Sequence, residues 1–284
     1  MQQTRVDVFE LIFLVFLGLG TLVGIVVVSY IMYNAYKYRD VTDADDPYAD
    51  NRPVLGELPV GGQGGKKLFL SFGLSAIIVV SLIIWTYGML LYVEDGPDEL
   101  EGDDHVQIDV EAEAFSFGYE YDYQGSEFSM FNELVIPANE PVEVTVTSSD
   151  VWHTFGISQE RVKADAIPGE YDETWFEAEE TGTFENAVEC FELCGEGHSG
   201  MQHDLIVVNA DLFDAVVEED AMSEFTSALA NDELTVDSTP EDLQDHLDEL
   251  EAEDDEDDEE EDDEDEGDED DEAADDDEDD GGDD

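Results

Sequence analysis

The sequence predicts a two-helix transmembrane hairpin, then an all-β sandwich, then a disordered acidic tail. Three observations predict it: two long early runs without a charged residue, a middle stretch in which Val and Ile alternate with polar residues, and an end made almost wholly of Asp and Glu. Of 284 residues, 80 are acidic and 8 basic, for a formal net charge of −72. That balance excludes a nucleic-acid binder, because neutralising phosphates takes clustered Lys and Arg. The apolar share of 42% is ordinary, so the chain is not disordered throughout.

The uncharged runs are residues 11–32 and 68–93, 22 and 26 residues long. Each suffices to cross about 30 Å of hydrocarbon as a helix. The first does not read as a cleaved leader: only Arg5 precedes it, Lys37 and Arg39 follow it, and no A-x-A site closes it. Residues 1–36 are thus an N-terminal segment and first transmembrane helix, and 68–93 the second. Five of the eight basic residues (Lys37, Arg39, Arg52, Lys66 and Lys67) lie in the connecting loop, 37–67. The positive-inside rule makes that loop cytoplasmic, which places both termini and everything after Val93 outside the plasma membrane.

A Gly/Pro/acid linker, 94–104, precedes a domain at 105–210. There Val106, Ile108 and Val110 alternate with polar residues, as do Val142, Val144 and Val146, and Leu205 opens another short apolar run. Pro137, Pro141, Pro168 and Gly182 punctuate the stretches between, so the region reads as a sandwich or barrel. Next, Leu212, Val216, Met222, Phe225 and Leu229 fall at roughly helical spacing and predict one helix over 211–230. The remainder, 231–284, is expected to be a disordered acidic tail. Its last 34 residues hold 28 carboxylates; without them the chain still carries −44.

The chemistry concentrates in Cys190-Phe-Glu-Leu-Cys194-Gly-Glu-Gly-His198-Ser-Gly-Met201, with Asp150-Val-Trp-His153 upstream. Thiolate, imidazole and thioether together select copper over hard cations. A mononuclear blue-copper site uses one Cys, and the second Cys here suggests two coppers bridged by both sulfurs. A local Cys190–Cys194 disulfide is the plainer alternative. Of the other histidines, His105 and His246 read as solvated, and His203 as a residue behind the ligands or on the surface.

At these residues the chain resembles subunit II of haem–copper terminal oxidases, the cytochrome c oxidase type with a dinuclear CuA centre. The likeness spans about residues 7–230 and includes the hairpin, Ser149-Asp-Val-Trp-His153, Asp165-Ala-Ile-Pro-Gly169 and the full Cys-x-Glu-x-Cys-x3-His-x2-Met pattern. It implies a cupredoxin-like Greek-key sandwich. It also implies that Cys190 and Cys194 bridge two coppers, that His153 and His198 each supply an imidazole, that Met201 is a weak axial ligand, and that the Glu192 carbonyl serves the second metal. The Glu192 carboxylate would bind Mg²⁺ shared with subunit I, a hard cation suited to oxygen ligands. Haem would reside only in that partner, to which electrons pass for reduction of O₂ to water with proton translocation.

Two departures stand out. Phe115 and Phe117 occupy the place of the tryptophans through which relatives admit electrons, which suggests ordinary packing or an apolar docking patch for another donor, a blue-copper protein or a c-type cytochrome. Gly65, Lys66 and Lys67 stand where relatives often place a Glu at a proton-channel mouth, and Glu57 is a poor substitute. The acidity of the folded body resembles that of haloarchaeal proteins, where at about 1 M salt the Debye length of about 3 Å removes long-range steering. Nitrous-oxide reductase shares the copper motif but needs a large second domain, and quinol-oxidase subunits lack the ligands. The alternative function is a membrane-anchored cupredoxin shuttle or copper carrier outside any oxidase.

Overall fold

A computed structural model describes residues 3–37, 62–100 and 105–250, with positions 39, 102 and 252. Most of the predicted cytoplasmic loop, including Arg52 and Glu57, lies outside the described residues, as do nearly all of 251–284 of the acidic tail. Helix α1 spans Arg5–Lys37 and α2 spans Gly62–Asp95. At about 1.5 Å per residue each is roughly 50 Å long and overruns the hydrocarbon at both faces. Their apolar side chains, such as Leu14, Val26, Phe69 and Ile84, are exposed, as expected of helices that meet lipid or a partner. A capping box starts α1: Thr4 Oγ1 accepts from the Asp7 N–H at 3.1 Å, and the Asp7 carboxylate accepts from the Thr4 N–H at 3.2 Å.

The outer ends of the hairpin are tied to the domain rather than loosely joined. The Val93 carbonyl accepts from the Arg5 guanidinium at 3.0 Å and from Trp175 Nε1 at 2.9 Å. Tyr92 packs edge-on against Trp175, and its hydroxyl donates to the Gln3 carbonyl at 2.6 Å. The predicted linker is therefore no free spacer: α2 runs into it as far as Asp95, and Asp98–Leu100 form a 3-10 turn. Gly96 allows this exit, since its φ is +76° and a Cβ there would lie 2.7 Å from Leu100.

Ten strands follow: β1 Val106–Glu113, β2 Ser116–Tyr123, β3 Ser126–Phe131, β4 Glu133–Pro137, β5 Val142–Ser148, β6 His153–Ile157, β7 Val162–Ala166, β8 Asp172–Phe176, β9 Gly182–Cys190 and β10 Gln202–Val208. They form two five-stranded sheets, ordered β3-β2-β1-β5-β8 and β4-β10-β9-β6-β7. The two alternating runs seen in the sequence are β1 and β5, which pair in parallel with Val106 against Val142, Ile108 against Val144 and Val110 against Val146. All six side chains are buried, because alternate residues of a strand share one face. Tyr119, Phe117, Phe155 and Leu134 complete the core between the sheets. Strand order that joins non-neighbours in sequence gives Greek-key connections, as in other sandwiches.

His105, expected to be solvated, is instead buried just ahead of β1, with Nε2 3.1 Å from the Glu143 carboxylate of β5. Proximity to an acidic linker in sequence says nothing about the neighbouring strand that shields it.

The described residues from Asp211 onward belong to a second compact unit. The single helix expected over 211–230 is two: α3 Ala210–Glu218 and α4 Met222–Ala230. Asp220 breaks it by adopting a left-handed φ of 53°, with its N–H on the Val217 carbonyl and the Ala221 N–H on the Val216 carbonyl. That is a Schellman cap, built on Asp instead of the usual Gly. Disorder was expected from 231, yet 240–250 is a further helix, α5, with Leu243 buried. Thr239 caps it: its Oγ1 accepts from the Asp242 N–H at 3.2 Å, the Asp242 carboxylate accepts from the Thr239 N–H at 2.8 Å, and Pro240 fills the first turn. His246, also expected to be solvated, lies half-buried on α5, 3.9 Å from the Glu233 carboxylate.

Candidate metal centre

Three adjacent strands of one sheet deliver the motif to one end of the sandwich. His153 opens β6, Cys190 closes β9, and Met201 immediately precedes β10. Backbone bonds lock these ends: the Cys190 N–H donates to the Met201 carbonyl at 3.1 Å, and the Phe191 N–H to the Thr154 carbonyl at 2.9 Å. Between them the chain loops through Cys194 and a short 3-10 turn, His198–Gly200.

The donor atoms converge. Cys190 Sγ lies 3.7 Å from His153 Nδ1, 3.2 Å from the Glu192 carbonyl oxygen and 3.9 Å from Cys194 Sγ. Cys194 Sγ lies 3.6 Å from His198 Nδ1 and 3.9 Å from Met201 Sδ. Both cysteines are free, with their sulfurs 3.9 Å apart and unbonded. A metal bound tetrahedrally between sulfur at about 2.3 Å and imidazole nitrogen at about 2.0 Å holds those atoms about 3.5 Å apart. The sulfur–nitrogen spacings fit, and the set divides into two halves, each with one thiol, one imidazole and one weak donor. His153 and Met201 are fully buried, while Cys194 and His198 sit at the half-exposed rim.

Electrostatics favour a cation here. Burial, and then the neighbouring Cys190, push the Cys194 thiol up to about 11, so two adjacent thiolates need a positive charge between them. The His153 ring is oriented from behind: its Nε2 lies 2.9 Å from Asp150 Oδ1. Burial raises the Asp150 carboxyl, but hydrogen bonds from His153 and from the Val151 and Ala114 N–H groups outweigh it and bring it to about 2. With Asp150 ionised, Nε2 carries the hydrogen and Nδ1 presents a bare lone pair to the centre. An Asp three residues before a candidate ligand His is the sequence signal for this contact.

The two phenylalanines part company. Phe117 is wholly buried, edge-on to Phe155 and His203, so it offers no docking surface. Phe115 is 42% exposed and lies on the metal loop, where a Cβ at Gly197 would come 2.3 Å from its ring. Trp152 and Leu193, next to His153 and Cys194 in sequence, are exposed at 48% and 75% and were not anticipated. His203, two residues past Met201, is buried, with Nδ1 2.9 Å from the Tyr119 hydroxyl and Nε2 3.1 Å from Ser116 Oγ. Its burial holds it toward the neutral form against the opposing pull of Asp204.

Fold and site define a membrane-anchored β sandwich with a soft-donor metal centre at one end. The chain belongs to the family of haem–copper oxidase subunit II. The family described as cytochrome c oxidase subunit II, periplasmic domain, matches residues 102–210. Haem–copper oxidase subunit 2 of Aeropyrum pernix is 35% identical over 207 residues, which cover 71% of this chain and 85% of that protein. Cytochrome c oxidase subunit 2 of Alkalihalophilus pseudofirmus is 30% identical over 214 residues, covering 74% of this chain and 58% of the relative. The crystal structure of the periplasmic domain of subunit II of cytochrome oxidase of Bradyrhizobium japonicum is 34% identical, covering 44% of this chain and 98% of that one, with a TM-score of 0.38. The chain is thus a membrane subunit of an oxidoreductase complex with subunit I, its sandwich lies outside the cytoplasm, and family membership implies copper.

Proposed function

We propose that this chain takes electrons from an external donor at a dinuclear copper centre and passes them to haem in subunit I, where O₂ is reduced to water with proton translocation. The observation that carries this reading is the two-halved donor set around Cys190 and Cys194. When bound, the copper pair supplies a one-electron couple whose charge change is shared between both metals. Cys190 and Cys194 would hold it as thiolates, with His153 and His198 as imidazole ligands. Met201 and the Glu192 carbonyl would add weaker donors. The Glu192 carboxylate would serve Mg²⁺ at the boundary with subunit I.

The protein's contribution is stiffness and dryness. Ligands fixed at the ends of three hydrogen-bonded strands move little when charge changes, and the buried His153 and Met201 keep water from the inner half of the centre. Asp150 holds the His153 tautomer. Phe115, Trp152 and Leu193 form an apolar fringe around the loop, suited to short-range docking of a blue-copper protein or a c-type cytochrome. The hairpin would anchor the sandwich in the plasma membrane with both termini outside. Cys190→Ser and Cys194→Ser test the reading: each should abolish an EPR signal of one electron shared by two coppers. Persistence of that signal in either variant would remove the dinuclear assignment.

A further inference from the structure

We propose that the outer end of the hairpin holds one anionic membrane phospholipid, with its phosphate between Arg5 and Arg161 and a hydrocarbon chain between α1 and α2. A groove of about 530 Å³ runs there, lined by Phe9 and Ile12 of α1 and Ile83 and Leu90 of α2, with Arg5 and Arg161 at its polar end. These are two of only eight basic residues in a chain with 80 acidic ones, and both face one apolar furrow. Arg161 comes from the turn between β6 and β7, and its guanidinium stacks over the Phe9 ring at 4.3 Å. Arg5 is four residues before Phe9 on α1, on the same helix face and about 5–6 Å along it. Both guanidiniums thus line one groove.

Neither guanidinium is in an ion pair among the described residues, although Glu94 and Asp172 lie near enough to Arg5 to favour its charge. Arg5 donates to the Val93 carbonyl, but its Nε is buried without a partner, an arrangement that costs free energy until an acceptor arrives. Asp7 and Glu10 of the same helix do not line the groove, since helical periodicity turns them to other faces. The depth is also right: Arg5 stands six residues before the uncharged run of α1, at the level of lipid headgroups. Charge and greasy walls together select an amphiphile, and a guanidinium pair suits a phosphate in particular.

The test is native mass spectrometry of the full chain in detergent, titrated with phosphatidylglycerol, phosphatidylcholine or inorganic phosphate. The expected result is one retained phosphatidylglycerol, bound more tightly than phosphatidylcholine and not displaced by millimolar phosphate. Arg161→Asn, which tolerates the left-handed φ of 56° at that position, should weaken retention about fivefold, and Arg161→Lys, which keeps the charge but not the stacked guanidinium, should weaken it less. Ile83→Trp, which fills the furrow without touching charge, should abolish it. Equal binding of both lipids, full competition by phosphate, or an unchanged affinity in Arg161→Asn would overturn the proposal. So would a photo-crosslinker at position 9 that, in the assembled complex, labels a partner protein and no lipid.

Discussion

Replacing Asp150 by Asn isolates the contribution of one carboxylate to the centre while preserving size and shape. Asp150 Oδ1 faces His153 Nε2 at 2.9 Å and also accepts from the Val151 N–H, while Oδ2 accepts from the Ala114 N–H at 3.0 Å. An amide has one acceptor oxygen for these three donors, so at least one of its contacts becomes donor against donor. Hydrogen bonds to a charged group are worth about 1.5–3 kcal/mol against about 1 kcal/mol for neutral ones, so the His153 contact weakens by about 1–2 kcal/mol. Because that contact sets which ring nitrogen is free, the loss reaches the metal: copper affinity should fall about 10–100-fold, the range for partners of ligand histidines. Competition with a copper chelator, followed by absorption and EPR on the detergent-solubilised chain, measures it. Asp150 stays ionised well above a pKa of about 2, so the deficit should be constant from pH 5 to 9. Wild-type affinity in Asp150→Asn, or a deficit that vanishes at neutral pH, would refute the tautomer argument.

Three further perturbations probe the surroundings. Phe117→Ala should cost about 3–5 kcal/mol of stability in denaturant melts, whereas Phe115→Ala, half-exposed, should cost about 1 kcal/mol or less. Gly197→Ala puts a Cβ into the Phe115 ring and should cost about 1–3 kcal/mol, most of it recovered in the Phe115→Ala/Gly197→Ala double variant. Burial, then Glu179 and Glu180, push Glu160 from 4.5 up to about 7, so the folded chain holds that proton more tightly than the unfolded one. Its stabilisation is full below 4.5 and lost as pH rises through 7, and Glu160→Gln should flatten thermal melts over that window by about 1 kcal/mol after allowance for screening.

What could be read from the sequence was what repeats or what lies close along the chain. The uncharged runs, the alternation in β1 and β5, and the Cys190–Met201 loop are local patterns, and each lies where the fold uses it. Phe115 and Phe117 end up in different environments although a period of two would put them on one face. Phe115 precedes the first residue of β2, Ser116, and the turn swings it outward. Asp220 offered no warning of a helix end, since Asp adopts the left-handed region far less often than Gly. In α5 the acidic composition masked a legible start, Thr239-Pro240-Glu241-Asp242. His105 needed a partner on another strand, Glu143 of β5, which no local pattern announces.

The doubly occupied oxygen of Val93 has a mechanical consequence. One donor comes from the start of the first helix and the other from an edge strand of the sandwich, so three distant stretches of chain meet at one atom. A hinge at that point would let the domain nod over the bilayer. Tunnelling rates fall steeply with distance, so if the chain passes electrons to subunit I as proposed, such nodding would turn every tilt into a change of rate. Under the proposed function, the two bonds at Val93 would hold the domain's height and make that rate a property of the fold and not of its thermal motion.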